Sequence, residues 1–147
     1  MSSDSGVPSK VLIADDNPQI LELLEAYLEP LGVAVRLAGN GEAVLAAVEA
    51  DEPDLILLDI MMPRRSGFEV CRTLKDDPRY RDIPIIMVTA LHELGDLERA
   101  RECGADDFLS KPVNKIELVA RVQNLLRIRH LKRAGGAPTN PAPPPET

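Results

Sequence analysis

Short apolar runs alternate along the chain with longer stretches whose apolar residues recur every three or four positions. The runs fall at residues 11–14, 33–37, 55–58, 85–88 and 108–109. Those at 11, 55 and 85 are apolar at every position, as strands of a parallel sheet covered on both faces should be. Arg36 interrupts the second run, and Asp107 and Ser110 flank the fifth. These two therefore predict edge strands. Between the first two runs, Ile20, Leu23, Leu24, Tyr27, Leu28 and Leu31 make a helical stripe. Asn17 suits its N-cap, Pro18 its first turn and Gly32 its end. A second helix is expected over residues 42–50, closed before Pro53, and a third over 68–75, stopped before Pro78. A fourth, over 94–102, has the weakest stripe and contains Gly95. The last opens at Asn114, with Glu117 three residues on in the manner of a capping box, and carries Leu118, Val122, Leu125 and Leu126.

Five strands alternating with five helices predict an α/β fold, a doubly wound five-stranded parallel sheet. The flavodoxin-like order 2-1-3-4-5 is one of the two common solutions, and the handedness of crossovers leaves few others. In that order the chain reverses direction between the first and third strands, and ligands bind outside the carboxyl ends of the strands there.

Composition sharpens this picture in a few places. The 147 residues suit one domain, and with aromatics at 3% and no Trp the core must be aliphatic. A net charge of −7 argues against nucleic acid or an anionic membrane as direct partner. No segment reaches the length of a membrane span, and the polar start MSSDSGVPSK lacks a signal-peptide core, so a cytoplasmic location is expected. Cys71 and Cys103 have no metal-ligand spacing and read as reduced thiols. His92 and His130 read as exposed residues, and Met61 and Met62 as loop packing. Residues 1–9 form a flexible lead, 10–133 the folded domain, and 134–147 an Ala-, Gly- and Pro-rich tail without the means to bury a core.

The polar residues at strand ends carry the chemistry. Asp15 and Asp16 follow the first run, Asp59 the third and Thr89 the fourth, while the fifth leads into Lys111-Pro112. The predicted strand order gathers all of them at one edge. Three carboxylates together must protonate, pair or bind a cation. A hard divalent ion such as Mg²⁺ matches such oxygen donors, and a lysine and a threonine hydroxyl can address phosphoryl oxygens. Nucleophile, metal, cation and hydroxyl together make a phosphoryl-transfer set. Gly39, Asn40 and Gly41 form a turn, with no glycine-rich phosphate loop after them.

The stretches VLIADDN, LILLDIMMPRRSGFEV, IPIIMVTA and GADDFLSKP resemble the receiver domains of two-component response regulators over about residues 10–130. The resemblance implies that Asp59 accepts a phosphoryl group from a phosphohistidine of a histidine kinase or histidine phosphotransfer protein. It implies Mg²⁺ on Asp16 and Asp59, on Asp15 largely through water, and on the backbone carbonyl of Met61. Lys111 would pair with phosphoryl oxygens, Thr89 would follow the phosphoryl group, and Phe108 would turn inward as Thr89 moves. Pro112 would follow a cis peptide bond. The protein would be a signalling phosphoacceptor rather than a turnover enzyme. Its output surface would be formed by the fourth helix, fifth strand and fifth helix, a homodimer contact being one use of that surface. Met61 and Leu91, at the positions bordering the attacking water, are apolar and imply a long-lived acyl phosphate.

A flavin carrier of the same fold would need a Ser-, Thr- or Gly-rich loop where this chain has Asp-Asp-Asn-Pro. A dehalogenase-type hydrolase would carry its nucleophile after the first strand rather than the third. The remaining alternatives are an interaction module independent of phosphorylation and a regulator whose output domain follows the tail. A single-domain regulator is the expectation, since the sequence stops at Thr147.

Overall fold

The computed structural model describes residues 8–90, 98 and 101–135. Five strands, β1 (Lys10–Ala14), β2 (Ala34–Ala38), β3 (Leu55–Asp59), β4 (Ile85–Thr89) and β5 (Asp107–Ser110), form a parallel sheet in the order β2-β1-β3-β4-β5. The two runs broken by polar residues are its edges, as their patterning predicts. Helices α1 (Pro18–Leu28), α2 (Gly41–Ala50), α3 (Gly67–Lys75) and a C-terminal helix (Lys115–Gly135) are described. The expected fourth helix falls mostly outside the described residues; Glu98, Arg101 and Glu102 are helical.

Alternation along the strands builds two cores. Val11, Ile13, Leu57 and Val88 point to the face covered by Leu24 and Leu28 of α1 and by Leu118, Val122 and Leu126 of the C-terminal helix. Leu12, Ile56, Leu58 and Met87 point to the face covered by Val44 and Val48 of α2 and Val70 and Leu74 of α3. Each such buried aliphatic side chain contributes roughly 1.5–3 kcal/mol.

Several elements differ in detail from the sequence pattern. Leu23 does not join the stripe of α1; it is 42% exposed, and Leu21 packs on the core instead. Helix α1 stops at Leu28 and tightens into a 3₁₀ turn over Glu29–Leu31, because Pro30 has no N–H to continue the ladder. Gly32, with φ 71°, caps it. Helix α3 starts one residue before the expected position, where Ser66 and Glu69 close a reciprocal capping box. At the C-terminal helix only half of the expected box forms: Asn114 Oδ1 accepts the Glu117 amide at 2.9 Å, while the Glu117 carboxylate turns to Arg121 at 3.0 Å. This helix continues to Gly135, two residues past the expected boundary; residues 136–147 of the tail lie outside the described residues.

At the amino ends of the strands, polar groups fasten the C-terminal helix to the sheet. Asp54, just before β3, accepts the Lys10 amide at 2.8 Å and Arg133 Nη1 at 3.2 Å. Arg129, only 5% exposed, pairs with Glu52 and lies 3.8 Å from Asp54. His130 is exposed and shares a hydrogen bond of 2.7 Å with Ser9.

Candidate functional site

The carboxyl ends of β1 and β3 bring Asp15, Asp16 and Asp59 together, each offering an oxygen within 4.8 Å of the others. Asp15 and Asp59 are buried, whereas Asp16 faces solvent. The Asp15 amide donates to the Ala38 carbonyl at 3.1 Å, holding the turn, and its Oδ1 accepts the Asn17 amide at 2.9 Å. Lys111, just beyond β5, reaches across to Asp15 Oδ2 at 2.8 Å and Asp59 Oδ1 at 3.2 Å. Its own amide donates to the Thr89 carbonyl at 2.8 Å, so the lysine is tied to the end of β4. The Lys111–Pro112 peptide is cis.

Electrostatics follow from this crowding. Burial, then the neighbouring Asp15 charge, pushes the Asp59 carboxyl up to about 6, against the opposing pull of Lys111. For Lys111, burial favours the neutral amine, but hydrogen bonds and charge from Asp15 and Asp59 outweigh it and raise its pKa. Asp59 is thus a carboxylate whose ionised form is disfavoured by its surroundings and open to stabilisation by a cation.

Thr89 is buried at the end of β4, in register with Ser110 of β5, and Phe108 lies opposite Met87 on β5, half-buried against the α2/α3 core. The two methionines part company: Met62 is buried at 8% exposure, but Met61 is 65% exposed and is not loop packing. Its carbonyl position therefore comes with a side chain turned to solvent. Leu91 and His92 lie outside the described residues.

Two features of the loop after β3 escaped the sequence pattern. Gly67 donates to the Ile60 carbonyl at 2.8 Å, and a Cβ there would lie 2.8 Å from the Ile60 Cα and run into the Asp59 carbonyl. Only glycine lets α3 begin so close beneath the acidic residue. Arg64 takes φ 73° and pairs with Glu42 of α2 at 3.2 Å. The cysteines lie apart from this site, on the α2/α3 side. Both are buried thiols, and Cys71 Sγ donates to the Cys103 carbonyl at 3.3 Å.

A pH-dependent stability follows for the metal-free protein. The folded Asp59 pKa of about 6 exceeds the ordinary 3.8, so protonation favours the fold. That contribution is complete below the unfolded pKa and is lost as pH rises through the folded value. Asp59→Asn is isosteric with the protonated acid. In EDTA it should match the wild type near pH 4 and exceed its stability above pH 7 by about 1–2 kcal/mol, discounted for residual screening. Urea unfolding at both pH values checks this; a constant difference would mean that Asp59 titrates at its ordinary value.

Strand order, switch-point carboxylates and a bridging lysine define a doubly wound α/β domain with a cation- and phosphate-compatible pocket. The chain belongs to the response regulator receiver domain family, which it matches over residues 11–123. It is 46% identical over 121 residues to the response regulator PleD of Caulobacter vibrioides, covering 82% of this chain and 27% of that protein. It is 43% identical over 118 residues to the DNA-binding dual master transcriptional regulator RpaA of Synechocystis, covering 80% and 49%. The chain thus spans a quarter to a half of these relatives. Among solved structures, the receiver domain of a signal transduction histidine kinase from Syntrophus aciditrophicus superposes with TM-score 0.79 at 36% identity, covering 89% of this chain and 98% of that one. A CheY-like receiver domain protein from Methanospirillum hungatei gives 0.79 at 28%, covering 85% and 98%. A two-component signalling domain is the class into which fold, pocket and relatives converge, and no described helix is long and apolar enough to cross a membrane.

Proposed function

We propose that Asp59 accepts a phosphoryl group from a phosphohistidine of a histidine kinase or histidine phosphotransfer protein in the cytoplasm. The observation that carries this reading is the Asp15, Asp16 and Asp59 cluster, within 4.8 Å, bridged by Lys111. An Asp59 oxygen attacks phosphorus, the phosphorus–nitrogen bond of the donor breaks, and the electron pair leaves with the imidazole. The three carboxylates are the all-oxygen donor set that Mg²⁺ takes, and Asp16, Asp59, a water on Asp15 and the Met61 carbonyl would hold it. When bound, Mg²⁺ neutralises negative charge on the transferring group. Lys111 moves from its carboxylate partners to a phosphoryl oxygen, and the Thr89 hydroxyl follows the same group.

The backbone bond from Lys111 to Thr89 couples this pocket to β5, and Phe108 lies on that strand. Phosphorylation then biases the surface made by the segment before β5, β5 itself and the C-terminal helix, which controls partner binding or homodimer formation. Because the matched segments make up only 27% and 49% of the curated relatives, a second reading is the receiver portion of a larger regulator whose output lies in another segment.

Intact mass after incubation with acetyl phosphate and Mg²⁺ tests the chemistry. One phosphoryl adduct is expected, absent in EDTA and absent in Asp59→Asn. No adduct from acetyl phosphate or from a phosphohistidine donor, with the protein folded, would leave an interaction module independent of phosphorylation.

A further inference from the structure

Helix α1 has the C-terminal helix on one flank and, on the other, a groove of about 400 Å³ against the edge strand β2. Three carboxylates, Glu22 and Glu25 of α1 and Glu29 of the 3₁₀ turn that follows it, line that groove together with Ala26, Val33 and Val35. It is therefore an apolar trough with an acidic wall. The C-terminal helix carries the complement: Ile128 is 40% exposed and Leu131 65%, one turn apart, with the exposed cations Arg127 and Lys132 beside them.

Both features sit at the same end of the sheet. His130 bonds to Ser9, and the Ser9 carbonyl accepts the Ala34 amide at 2.8 Å, next to Val33 of the groove. Both also belong to the sheet face covered by α1. A two-fold axis parallel to α1 would therefore set the C-terminal helix of each copy over the groove of the other without any change of height. Leu23, exposed at 42%, would lie near that axis.

We infer that this face is a self-complementary docking surface for a second copy of the chain, in which the Ile128/Leu131 stripe fills the α1–β2 groove and Arg127 and Lys132 meet Glu22, Glu25 and Glu29. The self-match of shape, height and charge on one chain is what selects a second copy over an unrelated cationic helix. At about 1.5 Å per residue the 11 residues of α1 and the 21 of the C-terminal helix, each about 10 Å wide, give this face roughly 480 Å² per copy before the groove is counted. That is somewhat over half of the ~800 Å² per partner of standard specific complexes, the size of a weak, concentration-dependent contact. The contact differs from the β5 side and does not require a phosphoryl group.

Sedimentation velocity of the unphosphorylated 147-residue chain carrying Asp59→Asn, across the micromolar range, tests it. A monomer–dimer equilibrium weakened by added salt is expected. Leu131→Asp, and separately the Glu22→Lys/Glu25→Lys pair, should each weaken association by at least about tenfold while leaving the melting temperature of the dilute monomer unchanged, since these positions are exposed. Adding Arg127→Glu/Lys132→Glu to the glutamate reversals should restore the dimer. A monomer throughout the range overturns the inference, even if the groove takes up a cationic helical peptide. So does a dimer indifferent to Leu131→Asp, or one to which the combined charge exchange is not restored.

Discussion

Replacing Lys111 by alanine is expected to slow phosphoryl incorporation at Asp59 by about 100-fold, the scale on which one preorganised charge-stabilising group acts in a buried site. Two effects act in the same direction. The ammonium that would meet the developing charge disappears, and so does the group that holds down the Asp59 pKa. Asp59 already titrates near 6 with Lys111 within 3.2 Å. Without it, burial and the Asp15 charge act unopposed by that lysine, and less Asp59 is ionised at neutral pH. Lys111→Arg keeps the charge but exchanges a compact ammonium for a planar fork, so it should recover only part of the rate. A mass time course with acetyl phosphate and saturating Mg²⁺ measures the effect. An unchanged rate would reduce Lys111 to a structural counter-ion of Asp15.

The largest stability loss is expected at the opposite edge of the sheet. Asp54→Ala should cost about 3 kcal/mol, because it removes one of the two carboxylates facing the buried Arg129 guanidinium together with the acceptor of the Lys10 amide. Asp54 is 8% exposed and takes bonds from the Lys10 amide and Arg133, with Arg129 close by. After truncation Arg129 retains Glu52, whose carboxylate is half in water. For a domain of this size the loss corresponds to a fall in melting temperature of about 10 °C. Phosphoryl incorporation should stay intact, since the substitution lies a full strand length from Asp59. A loss below about 1 kcal/mol in urea unfolding would show that the end of the C-terminal helix is held by its apolar residues alone.

Strand pattern and the gathering of polar residues at strand ends were legible because a parallel sheet imposes both. Covered strands must be apolar on both faces, and residues just past their carboxyl ends meet at one edge. Arg36 and the short run at 108–109 therefore placed β2 and β5 at the edges, and Asp15, Asp59, Thr89 and Lys111 stood out as polar residues just after apolar runs. Interactions between residues distant in sequence were not legible. Nothing local marks Asp54 as the partner of Arg129 and Arg133, which lie 75 and 79 positions away on another element. Nothing local marks Gly67 either, since the backbone pressing on it belongs to Asp59 and Ile60. Leu23 looked like core because three- and four-residue spacing admits either Leu21 or Leu23, and only the azimuth at which α1 docks chooses between them. The Ser66–Glu69 capping box could have been found: a serine followed three residues later by glutamate opens α3.

The hydrogen bond between Ser9 and His130 has a further implication for architecture. It marks the place where the chain enters β1 and the place where the last helix leaves the body as neighbours, and β1 separates both from the acidic pocket by about five residues of extended chain, roughly 16 Å. The domain therefore has a wiring end and a working end. Other modules could be spliced on before Ser9 or after the final helix, or the two ends could be joined and the chain reopened in a surface turn, without crowding the carboxylates. A scaffold arranged in this way lends itself to reuse as an interchangeable input unit, since what is attached at one pole has no steric quarrel with what happens at the other.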